Sequence, residues 1–142
     1  MSLKKELECK TILVGETGVG KTCLISRFAN EEFNSEVEPT TSASYESKTL
    51  EFDDFNSSIE YQLWDTTGQE QYRGLAKIFY KDANIVILVY DITRKGSFDE
   101  MKDYWYKEVK DNSSEHISKY NIFLLYVFLK LLELLAIKMI YI

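Results

Sequence analysis

"GETGVGKT", Gly15 to Thr22, decides how the rest of this 142-residue chain is read. The stretch fits the spacing G-x-x-x-x-G-K-[ST]. Glycines at those places let successive backbone N–H groups turn inward around phosphate oxygens, where side chains would block the approach. Lys21 adds a mobile point charge, and the Thr22 hydroxyl can ligate magnesium. The flanks agree with this reading. Upstream, "CKTILV" (Cys9 to Val14) is a short apolar run of strand type. Downstream, "KTCLISRFA" sets Leu24, Ile25 and Phe28 at helical spacing. A strand leading in and a helix leading out aim the helix N-terminus at the phosphates.

Length and composition narrow the possibilities. A chain this long makes one domain with a sizeable core. The net charge of −6 argues against nucleic acid, because duplex binding needs phosphates neutralised by Lys and Arg. A nucleotide is not excluded, since the loop supplies oriented amides and a lysine locally. The two cysteines, Cys9 and Cys23, suggest neither a disulfide framework nor a zinc site, and a reducing, cytoplasmic setting is expected. Both read as small buried residues. "MSLKKELECK" lacks the apolar centre of a signal peptide, so secretion is not expected.

Beyond the first helix, "NEEFNSEVEPTTSA" holds the only proline, Pro39, and reads as a loop. "SYESKTLEF" and "SSIEYQLWD" read as two strands joined by the turn "DDFN". "TTGQEQYRGLAK" is polar, and "ANIVILVYD" is a β-branched and aliphatic run that suits a parallel strand covered on both faces. In "SFDEMKDYWYKEVKD", Ser97 is the expected N-cap, with Phe98, Met101, Trp105 and Val109 at helical spacing. Strand, helix, hairpin, strand and helix in that order imply an α/β domain. Asp65 ends the third strand, where a carboxylate can hold a magnesium-bound water. Gly68 and Gln69 follow, placed to face a terminal phosphate and to orient an attacking water.

These residues resemble the small GTPases, and most of all the Rab family of membrane-traffic switches. "GETGVGKT", "FNSEVEPTTSASYESKTL", "LWDTTGQEQYRGLAKIFYKDA" and "ILVYDITRKGSF" stand in family order at family spacing across roughly Lys10 to Ile117. The resemblance implies a P-loop NTPase-type fold of three layers on a mostly parallel sheet, here missing its last strands and helices. It implies GTP or GDP bound with Mg2+. The nucleotide would be held by Gly15, Thr17, Gly18, Val19, Gly20, Lys21, Thr22 and Cys23, with Phe33 against the base and Gly68 at the γ-phosphate. Thr22, Thr40 and Asp65 would serve the metal, Asp65 through water, and Gln69 would be the catalytic residue. Two loops, around Thr40 and around Gly68 to Arg73, would respond to the γ-phosphate. A nucleotide exchange factor, a GTPase-activating protein and effectors would read the switch regions, with Tyr45, Trp64 and Phe79 as the family's aromatic triad. A monomer at the cytosolic face of endomembranes is expected, with membrane association left open. Thr67 stands where the family usually has alanine, and Ser42 where it usually has glycine.

The agreement ends near Ser118, so the expected division is 1–118 for the Rab-like domain and 119–142 for an apolar tail. Asn-Lys-x-Asp, whose aspartate selects guanine in the family, does not occur, nor does a cysteine after Cys23 that could carry a prenyl group. From Ile122 to Ile142, 18 of 21 residues are apolar. The tail can be read as a membrane span, an interfacial helix, or a segment packed in place of a lost strand. Lys130 and Glu133 count against the span, at about 2.5 to 3.5 kcal/mol each if charged at its centre. A fourth reading is a retained intron followed by a shifted frame, or an equivalent gene-model error, which would make the product a non-catalytic or unstable truncated interaction protein. Read two bases later, permitted codons for Leu132 to Tyr141 encode Gly-Val-Val-Gly-Asn-Lys-Asn-Asp-Leu. That hypothesis fails if the genomic bases over Leu131 to Tyr141 cannot yield Asn-Lys-x-Asp in another frame.

Overall fold

The structure is a computed structural model that describes residues 4–34, 38–66 and 79–112, together with the backbone of Ile122–Val127. Among the described residues its sheet has five strands: β1 (Lys5–Val14), β2 (Ser44–Phe52), β3 (Ser57–Asp65), β4 (Ile85–Asp91) and β5 (Ile122–Val127), in the order β2-β3-β1-β4-β5. β2 and β3 are antiparallel, and every other pairing is parallel. Helix α1 (Lys21–Asn30) follows β1. After β4 come α2 (Lys95–Glu100), a π-helical turn (Met101–Trp105) and α3 (Tyr106–Asn112) without a break.

Alternation along the strands divides the core between the two faces of the sheet. Ile12, Val14, Val86 and Leu88 pack with Met101, Trp105 and Val109 on the α2–α3 side. Leu13, Leu63 and Val89 pack with Leu24 and Ile25 of α1 on the other. The result is the three-layer α/β arrangement expected from the order of elements.

β1 begins four residues earlier than the apolar run suggested. Lys5 already pairs with Ser57, so the exposed and mostly charged stretch "KELE", with Leu7 its one apolar residue, takes part in the ladder with β3. The parallel register ends with Leu13 opposite Asp65, and Thr66 Oγ1 donates to Leu13 O at 2.6 Å. Those contacts set Asp65 beside the point where the chain leaves β1 for the glycine loop. On the other side β1 pairs with β4 up to Val14 opposite Leu88. The loop therefore opens at the carboxyl ends of three neighbouring strands, where α/β sheets hold their ligands.

The second helix departs from its sequence reading. Arg94, not Ser97, is the N-cap, with φ −121°. Ser97 is 1% exposed; its hydroxyl accepts the Asp91 N–H at 2.9 Å and faces the Asp91 and Arg94 carbonyls at 3.0 and 2.8 Å. It ties the end of β4 to the first helical turn rather than capping it. Ser97→Ala is expected to lower stability by about 1 to 2 kcal/mol, because it leaves a buried N–H unpaired; urea denaturation at unchanged m-value measures this. Met101, Trp105 and Val109 are buried as expected, while Phe98 is 37% exposed and packs edge-on to Tyr90, with ring centroids 5.1 Å apart. The wide π turn explains how residues four apart stay on one line. It absorbs the drift that a four-residue spacing accumulates on a helix of 3.6 residues per turn.

The tail adds a strand. Of the readings left open for it, Ile122–Val127 takes the one that extends the sheet, parallel to β4 from Val86 opposite Ile122 to Asp91 opposite Val127. A helix over these six residues is thereby replaced by β5, whose run of β-branched and aromatic residues suits a strand. The remainder of the tail lies outside the described residues. Among the described residues, no helix is long and apolar enough to cross a membrane.

Candidate nucleotide and metal site

The glycine loop is built by close approach and by left-handed backbone. A Cβ on Gly15 would stand 2.2 Å from Val89 O, so only glycine lets the loop cross the end of β4. Gly20, at φ 95°, is the N-cap of α1 and makes no side-chain cap bond. The first amides of α1 are thus left without a side-chain cap, a setting that favours an anion. Val19 is fully buried in the α1-side core and anchors the loop from below.

Lys21 is 5% exposed, and its ammonium donates to Gly15 O at 3.0 Å and to Glu16 O at 2.9 Å. Burial pulls its pKa down to about 8, against the upward pull of Asp65 and Glu16. The cation is held inside the loop by two carbonyls and is poorly solvated, so an arriving anion meets a charge already stripped of most of its water.

Thr22 Oγ1 donates to Asp65 Oδ2 at 2.5 Å and lies 2.7 Å from Thr40 Oγ1. Asp65 is 1% exposed, and its other oxygen, Oδ1, is buried without a hydrogen-bond partner among the described residues. Burial raises the Asp65 pKa, opposed by the Thr22 hydroxyl, the Lys21 charge and the Thr40 hydroxyl. Two hydroxyls and a carboxylate with a spare oxygen form a hard donor set of the kind Mg2+ takes, directly or through water. Among the described residues there is no group of three or more His, Cys, Asp and Glu, so the metal reading rests on this mixed set.

The structure therefore brings together Gly15, Gly20, Lys21, Thr22, Thr40 and Asp65. Thr17 and Gly18 form the exposed crest of the loop. The Cys23 side chain points elsewhere: it is buried, with Sγ 3.9 Å from Asn34 O, and burial pushes its thiol pKa up. Phe33 is half-buried against the cluster of Leu13, Val19, Leu24 and Ile25. Thr67, Gly68 and Gln69 lie outside the described residues.

The three aromatics singled out in the sequence make one contiguous surface. Tyr45 pairs with Trp64 across the hairpin, at 5.2 Å between centroids, and Trp64 meets Phe79 at 5.7 Å. Tyr45 is 47% exposed, so the set is neither plain core nor plain surface. Lys10 Nζ stands 5.5 Å over the Trp64 ring.

One participant escaped the sequence reading. Arg94, the N-cap of α2 three residues past β4, donates from Nη2 to Thr17 O at 3.1 Å and from Nε to Asp91 Oδ2 at 3.1 Å. The only local hint was an acid and a base three residues apart in "DITR".

Comparison with known proteins gives the family. The family model described as "Ras family" matches residues 10–125. The chain belongs to the Ras family. Its match runs through the glycine loop, the Asp65 strand and into β5. Relatives of this Ras-family chain include the Ras-related protein RABA1b of Arabidopsis thaliana, 40% identical over 108 residues, or 76% of this chain and 49% of the relative. Rab-13 of Rattus norvegicus is 40% identical over 110 residues, 78% of this chain and 53% of the relative. Rab-8B of Homo sapiens is 37% identical over 110 residues, 78% and 52% respectively. Within the Ras family these similarities place it with the Rab small GTPases. The chain spans about half the length of the curated relatives it matches.

Proposed function

We propose that the chain is a Rab-type molecular switch that binds GTP with Mg2+, hydrolyses it to GDP and regulates vesicle-mediated membrane traffic. The observation that carries the reading is the meeting of Thr22, Thr40 and Asp65 beside Lys21, from positions 18 and 43 residues apart in the chain. A glycine turn in an unrelated protein has no reason to assemble a cation, two hydroxyls and a half-satisfied buried carboxylate at one spot.

In this reading a water attacks the γ-phosphorus, the bond to the β,γ-bridging oxygen breaks, and GDP and inorganic phosphate leave. Magnesium, when bound, would neutralise charge on the β- and γ-phosphates. Thr22, Thr40 and Asp65 are the residues that would hold it. Lys21 offers its ammonium to the same phosphates, and the glycine loop offers its amides. Gly68 and Gln69 carry the roles assigned from the sequence, the amide for the γ-phosphate and the carboxamide that orients water. Phe33 packs on the base. The Thr67 hydroxyl, where relatives of this type have alanine, competes for the water; an unchanged single-turnover rate in Thr67→Ala would remove that role. An exchange factor, a GTPase-activating protein and effectors would read the surface of Tyr45, Trp64 and Phe79 at the cytosolic face of endomembranes.

The test is a filter-retention and phosphate-release assay on purified chain with labelled GTP and ATP. Selective retention of GTP with γ-phosphate release supports the proposal. Retention without release leaves a binding module that presents its aromatic face, and equal retention of ATP removes the guanine preference. Asp65→Asn provides a further check. It is expected to leave the nucleotide-free fold as stable as before or more so, since a desolvated charge is removed. It should also cut the magnesium dependence of nucleotide retention by about tenfold, on the scale of a lost charged contact.

A further inference from the structure

Three successive carbonyls of the glycine loop are engaged by cations. Lys21 takes Gly15 O and Glu16 O from within, and Arg94 takes Thr17 O from the N-cap of α2. A Cβ on Gly18 would have Arg94 Nη2 as its nearest neighbour, at 3.8 Å, so the guanidinium backs onto the Thr17–Gly18 peptide. Arg94 is itself fixed. Its Nε bonds Asp91 Oδ2, while Asp91 Oδ1 accepts the Thr93 amide at 2.8 Å and the Thr93 hydroxyl at 2.7 Å. Its backbone N–H and C=O are tied to Asp91 O and to Ser97. Nη1 also lies 3.8 Å from Glu16 Oε2.

Among the described residues there is no cis peptide. In a trans peptide, C=O and N–H of one plane point in opposite directions. Holding Thr17 O toward Arg94 therefore turns the Gly18 N–H away from it. We propose that Arg94 is a positioning residue that presets the Gly18 amide for phosphate and thereby slows nucleotide release. This rests on the nucleotide-binding reading above. The role is orientational, because the Arg94 side chain is 43% exposed and its charge, screened by solvent, adds little alone. Arginine is needed for geometry: a lysine cannot place one nitrogen on Asp91 and another on Thr17 O at the same time.

The test compares Arg94→Ala and Arg94→Lys with wild type in the full chain. Backbone 15N relaxation followed by NMR, without nucleotide, should show the Gly18 amide order parameter falling from about 0.85 to below about 0.6 in Arg94→Ala, with Ile12 and Leu88 unchanged. Fluorescent GDP should leave about five- to tenfold faster, as expected for one lost hydrogen bond, and Arg94→Lys should not restore wild-type release. An unchanged Gly18 order parameter, or GDP release restored in full by lysine, overturns the proposal. A wild-type chain that retains no nucleotide overturns the switch reading instead, while the Gly18 order parameter still reports on Arg94. Should Arg94→Ala loosen Ile12 and Leu88 as well, Arg94→Lys carries the order-parameter comparison.

Discussion

Lys21→Met is expected to lower affinity for GDP by about three orders of magnitude while leaving the fold as stable as wild type or more so. The first half follows from Coulomb's law. An ammonium about 4 Å from a phosphate charge is worth about 4 kcal/mol at an effective dielectric near 20, or close to a factor of a thousand. The second half follows from burial. Because the fold holds the Lys21 pKa near 8, below its ordinary 10.5, folding works against the charged form relative to the unfolded chain, although the ammonium still predominates at neutral pH. Between about 8 and 10.5 the unfolded chain binds more protons than the folded one, so wild-type stability rises with pH there. The methionine variant loses that rise. Calorimetric titration with GDP and urea denaturation across this pH range measure both halves. An affinity within about threefold of wild type would remove Lys21 from the phosphate site.

Gly15→Ala is expected to destabilise the domain by about 3 kcal/mol, in the range of overpacking and backbone displacement. The added methyl would meet Val89 O at 2.2 Å, Val89 C at 3.2 Å and Val19 Cγ2 at 3.3 Å. Two of these atoms are main chain in a parallel ladder, where Val14 already sits opposite Leu88, so no side-chain rotation relieves the contact. Either β1 and β4 separate at their carboxyl ends or the loop lifts from Lys21, and both outcomes weaken the site as well as the fold. Gly18→Ala is the control. Its added methyl would meet Arg94 Nη2 at an ordinary 3.8 Å contact but at φ 72°, and should cost only about 1 to 2 kcal/mol. Equal stability of Gly15→Ala and wild type in urea would show that the crossing at Val89 is not tight.

Much of this was legible before any coordinates, and the reasons differ from element to element. β2 and β3 span the residues expected because polar turn residues bracket two regular runs. β1 was read short because a central strand tolerates polar residues where it pairs on one side only. Ser97 was misplaced as a cap because its hydroxyl serves a tertiary contact to Asp91 that local pattern cannot show. Ile122–Val127 was ambiguous because an apolar run carries no period, and only pairing with β4 makes it a strand. Lys21, Thr22 and Asp65 could be named from one motif and one strand end. Arg94 could not, since its partner Thr17 lies 77 residues away and a surface arginine normally needs no explanation.

The two tryptophans stand in opposite circumstances, and this gives the molecule a pair of built-in optical reporters. Trp105 is fully enclosed, whereas Trp64 lies between Tyr45 and Phe79 with Lys10 above its ring. Tyr45 follows the stretch containing Thr40, and Phe79 follows the stretch containing Gln69. Intrinsic fluorescence should therefore separate into a blue, constant component from Trp105 and a redder, quenchable one from Trp64 that registers both stretches without any attached dye.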